Sequence, residues 1–256
     1  MAQGLNDLVG HITEIAEQAS KIALSYFRQP ILIEMKENHT PVTIADKKTE
    51  ETIRKELEKH YPDFGILGEE FGEVSKKTDF VWTIDPIDGT RSFIRGIPLF
   101  GTLVGLLRKG QPVLGIMVLP ALDETYWSVE KGGTYCNGTQ IHVSACQSLE
   151  ASILCHGDIN CFEDSGRRKT FNKFLDKAEL VRGYTDCFGY SLVLRGAADA
   201  MIDPIVSLWD IAPIACLVRE AGGSYFNFEG KPSIQETSFV ACAPGIKNSL
   251  LEIIKE

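Results

Sequence analysis

The residues of this chain best suited to chemistry are two aspartates, Asp85 and Asp88, within the segment Trp82–Thr90 (WTIDPIDGT). Carboxylates at this spacing can hold hard cations. Gly89 allows close backbone approach, and the N–H groups that begin a following helix form an anion site. The segment therefore indicates a place for cations and a phosphate together, which is what hydrolysis of a phosphate ester requires. The alternative is a turn rich in Asp, Pro and Gly that only caps a helix.

Further acidic residues stand where strands end or helices begin. Glu69 follows a predicted strand, Asp210 begins an apolar helix in the segment Trp209–Pro213, and Asp46 follows Thr43 at the start of another helix. Taken singly, Glu69 is also explained as a solvated charge, and the two aspartates as N-caps. Strand ends and helix starts are nevertheless where ligands gather in α/β architectures. Converging carboxylates without His or Cys favour Mg²⁺ over zinc.

The composition limits the kinds of molecule that this chain can bind. The chain of 256 residues has a net charge of −9 and a pI near 5.2, which argues against a nucleic-acid surface. An acidic protein that binds an anionic phosphate needs positive charge from elsewhere, and bound metal is the simplest source. Seven scattered cysteines without a CxxC pair predict reduced thiols in a cytoplasmic protein. No stretch is typical of a signal peptide or a membrane span.

The apolar patterns predict the elements that position these groups. Helical spacing covers residues 5–29 and 46–60, a strand is expected at Phe80–Ile84, and three β runs between residues 99 and 129 predict an antiparallel meander. After residue 150 strands and helices alternate, with one helix expected over about 163–177. We expect one domain, 1–256, with an α+β lobe at 1–150 packed closely on an α/β lobe at 151–256.

Three segments together, Gly68–Glu70, Trp82–Thr90 and Trp209–Pro213, resemble the signatures of the inositol-monophosphatase-like superfamily of lithium-sensitive, magnesium-dependent phosphatases. Their order and separations match over nearly the full chain. The resemblance implies an α+β and α/β layered α-β-α-β-α sandwich, commonly a homodimer. It also implies hydrolysis of a small-molecule phosphate monoester without a covalent phosphoenzyme.

The same resemblance implies a role for each residue of the site. Two or three Mg²⁺ ions would be held by Glu69, Asp85, the backbone carbonyl of Ile87, Asp88 and Asp210. Asp46 and Thr90 would orient and deprotonate the attacking water, and amides of Gly89 and Thr90 would hold the phosphate. Glu70 would act behind these ligands or bind a third metal weakly. The polar segment from Lys36 to Thr40 would close over the site.

The predicted substrate rests on two further segments. Arg91–Leu103, which contains the run Pro-Leu-Phe-Gly-Thr-Leu, and Tyr184–Tyr190 are both similar to the histidinol-phosphate branch of the superfamily. A carboxylate at Asp186, helped by Asp203, suits the cationic leaving group of L-histidinol phosphate. Asp186 could instead cap a helix, and Asp203 could belong to a turn.

The other functions that the sequence leaves open differ in substrate or in catalysis. The first alternative is a phosphatase for inositol-1-phosphate or for a broad range of small esters. The second is a non-catalytic module that binds metal or a phosphorylated ligand. Substrate preference among these esters is not encoded in the metal-binding signatures.

Overall fold

The computed structural model describes residues 2–37 and 40–255, which form two large β-sheets and three layers of helices. The elements up to residue 150 are α1 (Ala2–Tyr26), β1 (Ile33–Met35), β2 (Pro41–Thr43), α2 (Ile44–His60), β3 (Gly65–Gly68), β4 (Gly72–Val74), β5 (Phe80–Asp88), α3 (Thr90–Ile94), β6 (Gly101–Arg108), β7 (Gln111–Leu119), β8 (Glu124–Val129), β9 (Thr134–Cys136) and β10 (Thr139–Ile141). Those that follow are β11 (Ile153–His156), α4 (Ile159–Asp164), α5 (Arg168–Lys177), β12 (Leu180–Arg182), α6 (Asp186–Leu194), β13 (Ala200–Asp203), α7 (Leu208–Glu220), β14 (Ser224–Phe226), β15 (Phe239–Cys242) and α8 (Lys247–Lys255).

The larger sheet contains the predicted antiparallel meander. Its order is β10-β9-β8-β7-β6-β5-β3-β4, and β3 runs parallel to β5. Strands β6 and β7 are joined through Lys109 and Gly110, which both have positive φ, as a tight type I′ hairpin requires. The smaller sheet has the order β12-β11-β13-β15-β14 and mixes parallel and antiparallel pairs. β1 and β2 form a separate hairpin.

The helices cover both sheets in three layers. α1 and α2 bury residues such as Ile12 and Ile53 against Trp82 on the outer face of the large sheet. α6 and α7 lie between the sheets, in a core that joins residues of both. α5 and α8 cover the far side of the small sheet, with Phe171 and Leu250 in one apolar cluster. The layers therefore run α-β-α-β-α, as predicted.

Two glycines let α7 lie unusually close to the large sheet. Gly105 and Gly115 face each other across β6 and β7. A Cβ added at Gly115 would stand 2.2 Å from the carbonyl oxygen of Pro213, and one at Gly105 would stand 3.1 Å from the Pro213 nitrogen. Because α7 is seated here without intervening side chains, its first turn, which carries Asp210, reaches the end of β5.

The structure corrects several predicted boundaries. β5 does not end at Ile84 but continues to Asp88, with a register shift against β6 between Asp85 and Asp88, so Asp88 ends a strand rather than lying in a turn. The helix predicted over 163–177 is two helices separated near Gly166, which has a φ of 71°. The division into lobes at residue 150 stays a prediction. α6 and α7 pack against both sheets.

Two further features of the structure concern membrane-spanning helices and the state of the cysteines. Within residues 2–37 and 40–255, no helix is long and apolar enough to cross a membrane. The seven cysteines are free thiols, and Cys155, Cys187, Cys216 and Cys242 are buried.

Candidate active site

Glu69 and Asp85 leave the same end of the large sheet side by side. β3 and β5 are parallel, with Gly68 opposite Ile84 in the register. The residue that follows each of these two is one of the acids, and the Glu69 N–H donates to the Ile84 carbonyl at 3.1 Å. Asp85 is only 3% exposed. The parallel register therefore brings together two carboxylates that lie sixteen positions apart in the sequence.

Asp46 and Asp210 hold equivalent positions at the starts of α2 and α7. Both were candidate N-caps, but the N-caps are Thr43 and Ser207, and each aspartate is the third helical residue of a capping box. Asp46 Oδ2 accepts hydrogen bonds from the Thr43 N–H at 2.8 Å and the Thr43 hydroxyl at 2.6 Å. Asp210 Oδ2 accepts from the Ser207 N–H at 2.8 Å. Capping thus engages one oxygen of each carboxylate and leaves the other oxygen outside the capping box.

Thr90 connects the phosphate-binding segment to Asp46. Its hydroxyl lies 2.8 Å from the Ile87 carbonyl and 3.2 Å from Asp46 Oδ1. Gly89 before it has a φ of 84°, and a Cβ there would stand 2.9 Å from the Leu99 carbonyl, so only glycine suits this position. The geometry aligns a hydroxyl donor with the free oxygen of a fully buried carboxylate.

A cavity of about 690 Å³ opens above these residues. Most of the predicted site residues line it: Glu69, Asp85, Ile87, Asp88, Gly89, Thr90, Asp186 and Asp210. Asp46 lies behind Thr90, and Glu70 lies beside Glu69. The structure therefore brings the predicted metal-binding, phosphate-binding and catalytic residues into one place.

Asp186 lies in the cavity wall at the start of α6, with a φ of 54°. The N-cap of this helix is Thr185, whose hydroxyl donates to Asp186 Oδ2 at 2.6 Å, so Asp186 is not the cap. The N–H of Cys187 donates instead to Asp88 Oδ2. This bond ties the end of β5 to the beginning of α6 and places Asp186 beside the acidic cluster.

Asp203 does not contact the cavity, contrary to its predicted role in substrate binding. It ends β13 and is 8% exposed. Its Oδ2 accepts from the Tyr190 hydroxyl at 2.6 Å, and its Oδ1 accepts from the Gly157 N–H at 3.1 Å. Since both oxygens are engaged, the carboxylate supports the wall from behind.

Three residues that line the cavity were not predicted from the sequence. His156 ends β11 and Asp158 lies two residues later, on either side of the Gly157 that Asp203 holds, and Arg91 lies in α3. His156 Nδ1 lies 2.7 Å from the Gly157 carbonyl, and Asp158 Oδ1 accepts from the Asn160 N–H at 2.9 Å. The signal that could have found the first two is the one that found Glu69 and Asp85, namely polar residues at the carboxyl end of a strand.

Comparison with known proteins decides the family. A model of the inositol monophosphatase family matches residues 5–256. The chain belongs to the inositol monophosphatase family. As a member of a phosphatase family it is a phosphoric monoester hydrolase, and the family is metal-dependent.

Individual relatives carry several names. A protein named histidinol-phosphatase from Chlorobaculum parvum is 40% identical, with 86% of both chains covered. One of the same name from Mycobacterium tuberculosis is 37% identical over 77% of this chain and 78% of its own. Among solved structures, an inositol monophosphatase from Zymomonas mobilis is 31% identical, covers 98% of this chain and 97% of its own, and has a TM-score of 0.86. The suhB protein of Bartonella henselae has a TM-score of 0.89 at 26% identity, covering 95% and 96%.

The carboxylates of this phosphatase's cavity repel one another. Burial raises the pKa of Asp85 well above its usual range, and the neighbouring Glu69 and Asp88 raise it further. Burial also raises the pKa of Asp210 and of Glu70 to about 7 each, and Glu69 adds to both shifts. A cluster of this kind holds protons, or cations in their place, near neutral pH.

Lys36 supplies a positive charge at the edge of this cluster. Its Nζ lies 2.8 Å from Glu69 Oε1 and 2.7 Å from Glu70 Oε1. Lys36 also begins the segment predicted to close over the site, and its N–H donates to the Thr40 carbonyl at 2.9 Å. Asn38 and His39 of that segment lie outside the described residues.

The acidic cluster suits a divalent cation in chemistry and burial. All the atoms that could ligate a metal here are oxygens, the ligands that Mg²⁺ prefers. Asp85 Oδ1 is buried and has no hydrogen-bond partner, which is costly unless a cation or proton compensates it. Among residues 2–37 and 40–255, no three His, Cys, Asp or Glu side chains already stand in a metal-binding group.

Proposed function

We propose that this chain is a metal-dependent phosphomonoesterase that hydrolyses L-histidinol phosphate to L-histidinol and phosphate. The observation that carries the proposal is an acidic wall, formed by Asp158 and Asp186, in the same cavity as the carboxylate cluster. Three relatives named histidinol-phosphatase, at 40%, 37% and 32% identity, support this substrate.

The leaving group explains why an acidic wall matters. Histidinol carries an amine and an imidazole, and both can donate charge-assisted hydrogen bonds to carboxylates. Inositol offers only neutral hydroxyls. Arg91 is also close enough to lower the pKa of Asp186, an effect that opposes the rise caused mainly by burial and partly by Asp158. A cationic substrate in this wall would favour the ionised form of Asp186, in the same direction as Arg91 does.

The metal would be Mg²⁺, in two or three sites. Its ligands would be Glu69, Asp85, the carbonyl of Ile87, Asp88 and Asp210, with Glu70 available for a weaker third ion once Lys36 releases it. When bound, the metal would polarise the phosphoryl group and lower the pKa of a water.

The chain's own residues would position and deprotonate that water. Thr43 engages Asp46 Oδ2 with two hydrogen bonds, so Oδ1 alone faces Thr90. The Thr90 hydroxyl would orient the attacking water. It would accept a proton from this water and donate its own proton to Asp46. Gly89 and Thr90 would hold the phosphate through their amides.

A substrate panel tests the proposal directly. The purified chain is assayed with L-histidinol phosphate, inositol-1-phosphate and p-nitrophenyl phosphate, each with Mg²⁺ and with EDTA. We expect metal-dependent turnover and a kcat/KM for histidinol phosphate more than 10-fold above that for inositol phosphate, about 1.4 kcal/mol in transition-state binding. Equal or faster hydrolysis of inositol phosphate would assign the family activity to that ester. Absence of turnover with all three would favour the metal-binding or phosphate-binding module.

The assembly and location proposed with this function are a homodimer and the cytoplasm. The free thiols support a reducing compartment. Light scattering coupled to size-exclusion chromatography tests the homodimer, and a monomeric mass would contradict it.

A further inference from the structure

A buried ion pair lies one helical turn beyond Asp46. Glu50 is fully buried and Arg54 is 8% exposed, and Arg54 Nε donates to Glu50 Oε1 at 2.7 Å. Removing two charges from water is costly, and a buried pair is maintained only when further hydrogen bonds satisfy it. The function described above uses neither residue.

The pair binds the backbone of the turn that follows Glu69. Glu50 Oε2 accepts from the Glu70 N–H at 2.7 Å, and Glu50 Oε1 accepts from the Phe71 N–H at 3.2 Å. The Arg54 guanidinium donates to the Gly72 carbonyl. Residues 70–72, which comprise the turn after Glu69 and the first residue of β4, are therefore held by one carboxylate and one guanidinium.

Gly68 shows how closely this pair is fitted to the turn. A Cβ at Gly68 would stand 2.0 Å from Glu50 Oε1 and 2.7 Å from Arg54 Nη2. The ion pair therefore packs directly against the residue before Glu69. Glu50 also binds the N–H groups of Glu70 and Phe71. The ion pair therefore contacts the backbone both immediately before and immediately after Glu69.

We infer that Glu50 and Arg54 are positioning residues that set the affinity of the site for magnesium. They hold the turn from which Glu69 and Glu70 reach the acidic cluster, and this inference rests on the metal site of the proposed function. Asp46 lies four residues before Glu50, on the same face of α2. One helix thus holds the candidate base and the ligand-bearing turn in a constant relation.

A carboxylate is needed at position 50 because of the number of donors it meets. Three N–H groups, from Arg54, Glu70 and Phe71, point at its two oxygens. Glutamine has one acceptor oxygen and would present its own N–H₂ to at least one of these donors. The turn would shift to avoid that contact, and Glu69 would move with it.

The test is Mg²⁺ binding to the metal-free full chain, measured by calorimetry without substrate. Glu50→Gln should raise the Kd for Mg²⁺ about 10- to 100-fold, the usual cost of losing a group that orients metal ligands. The matched control is Glu51→Gln. Glu51 pairs with Lys55 at 2.9 Å with the same i,i+4 spacing, but both side chains are exposed. It should leave the Kd unchanged.

A second readout separates positioning from general damage. The Mg²⁺ concentration for half-maximal hydrolysis of p-nitrophenyl phosphate should rise by the same factor in Glu50→Gln, while kcat at saturating Mg²⁺ stays within a few-fold of wild type. A folded Glu50→Gln with a wild-type Kd would overturn the inference.

Arg54→Lys, which keeps the charge but loses the forked contact to Gly72, gives the same comparison if Glu50→Gln does not fold. If neither variant folds, the pair serves stability alone and the inference is also overturned. If wild type itself binds no Mg²⁺, the proposed metal site fails first, so the two failures are distinguishable.

Discussion

Replacing Asp203 with asparagine should stabilise the protein by an amount that grows with pH. Burial raises the pKa of Asp203 to about 7, from an ordinary value of 3.8. The folded state therefore holds a proton between these pH values that the unfolded state has released. The stability that this proton contributes is fully present below about pH 4 and is lost as the pH rises through 7. Asparagine has no proton to lose. Its Oδ1 can accept from the Gly157 N–H, and its Nδ2 can donate to the Tyr190 oxygen once that hydroxyl, which donates to Asp203 in wild type, has rotated.

The size of this effect follows from the pKa shift. A difference of about three units, at about 1.4 kcal/mol each, makes the ionised carboxylate cost roughly 4 kcal/mol at high pH. Only part of that range lies between pH 5 and pH 8. We therefore expect the stability difference between Asp203→Asn and wild type to increase by about 2 to 3 kcal/mol over this interval. For a chain of this length each kcal/mol corresponds to about 2 to 4 °C in Tm.

The measurement is urea unfolding of both proteins from pH 5 to pH 8 in EDTA. Taking the difference between them removes the contributions of the other titrating carboxylates. A pH-independent difference for Asp203→Asn would refute a raised pKa at this position.

Three further perturbations test the site and the fold. Asp85→Asn should weaken Mg²⁺ binding more than about 100-fold, which exceeds the usual effect of replacing a residue that only orients a metal ligand. The circular dichroism spectrum should not change. Near-normal affinity by calorimetry would exclude Asp85 as a ligand. Asp186→Asn should raise KM for histidinol phosphate about 10-fold and leave KM for inositol phosphate unchanged, since only the first leaving group is cationic; parallel changes in steady-state assays would contradict a role in specificity. Gly115→Ala should destabilise the chain by about 1 to 3 kcal/mol, because the added methyl group overpacks against Pro213. Gly10→Ala, where α1 has open space, should stabilise it by about 0.5 to 1 kcal/mol. Urea unfolding measures both changes.

The sequence by itself determined the features that depend on neighbouring residues. Alternating and helical apolar spacing predicted the meander and the first two helices. The run Trp82–Thr90 predicted a cation and phosphate site, because its carboxylates, glycine and hydroxyl lie within nine positions. Together with Gly68–Glu70 and Trp209–Pro213 it also predicted the family, which the comparisons confirm. These signals are local, so the order of residues is enough to carry them.

Only the tertiary structure decided how distant residues meet. The parallel register of β3 and β5 sets Glu69 beside Asp85, and the close seating of α7 brings Asp210 to them. The same long-range packing removes Asp203 from the cavity and puts Glu50 under the turn after Glu69. Register, helix seating and buried hydrogen bonds join residues far apart in the chain, and no spacing within one segment reports them. The acidic residues could therefore be recognised from the sequence, but which of them face the cavity and which support it from behind could not.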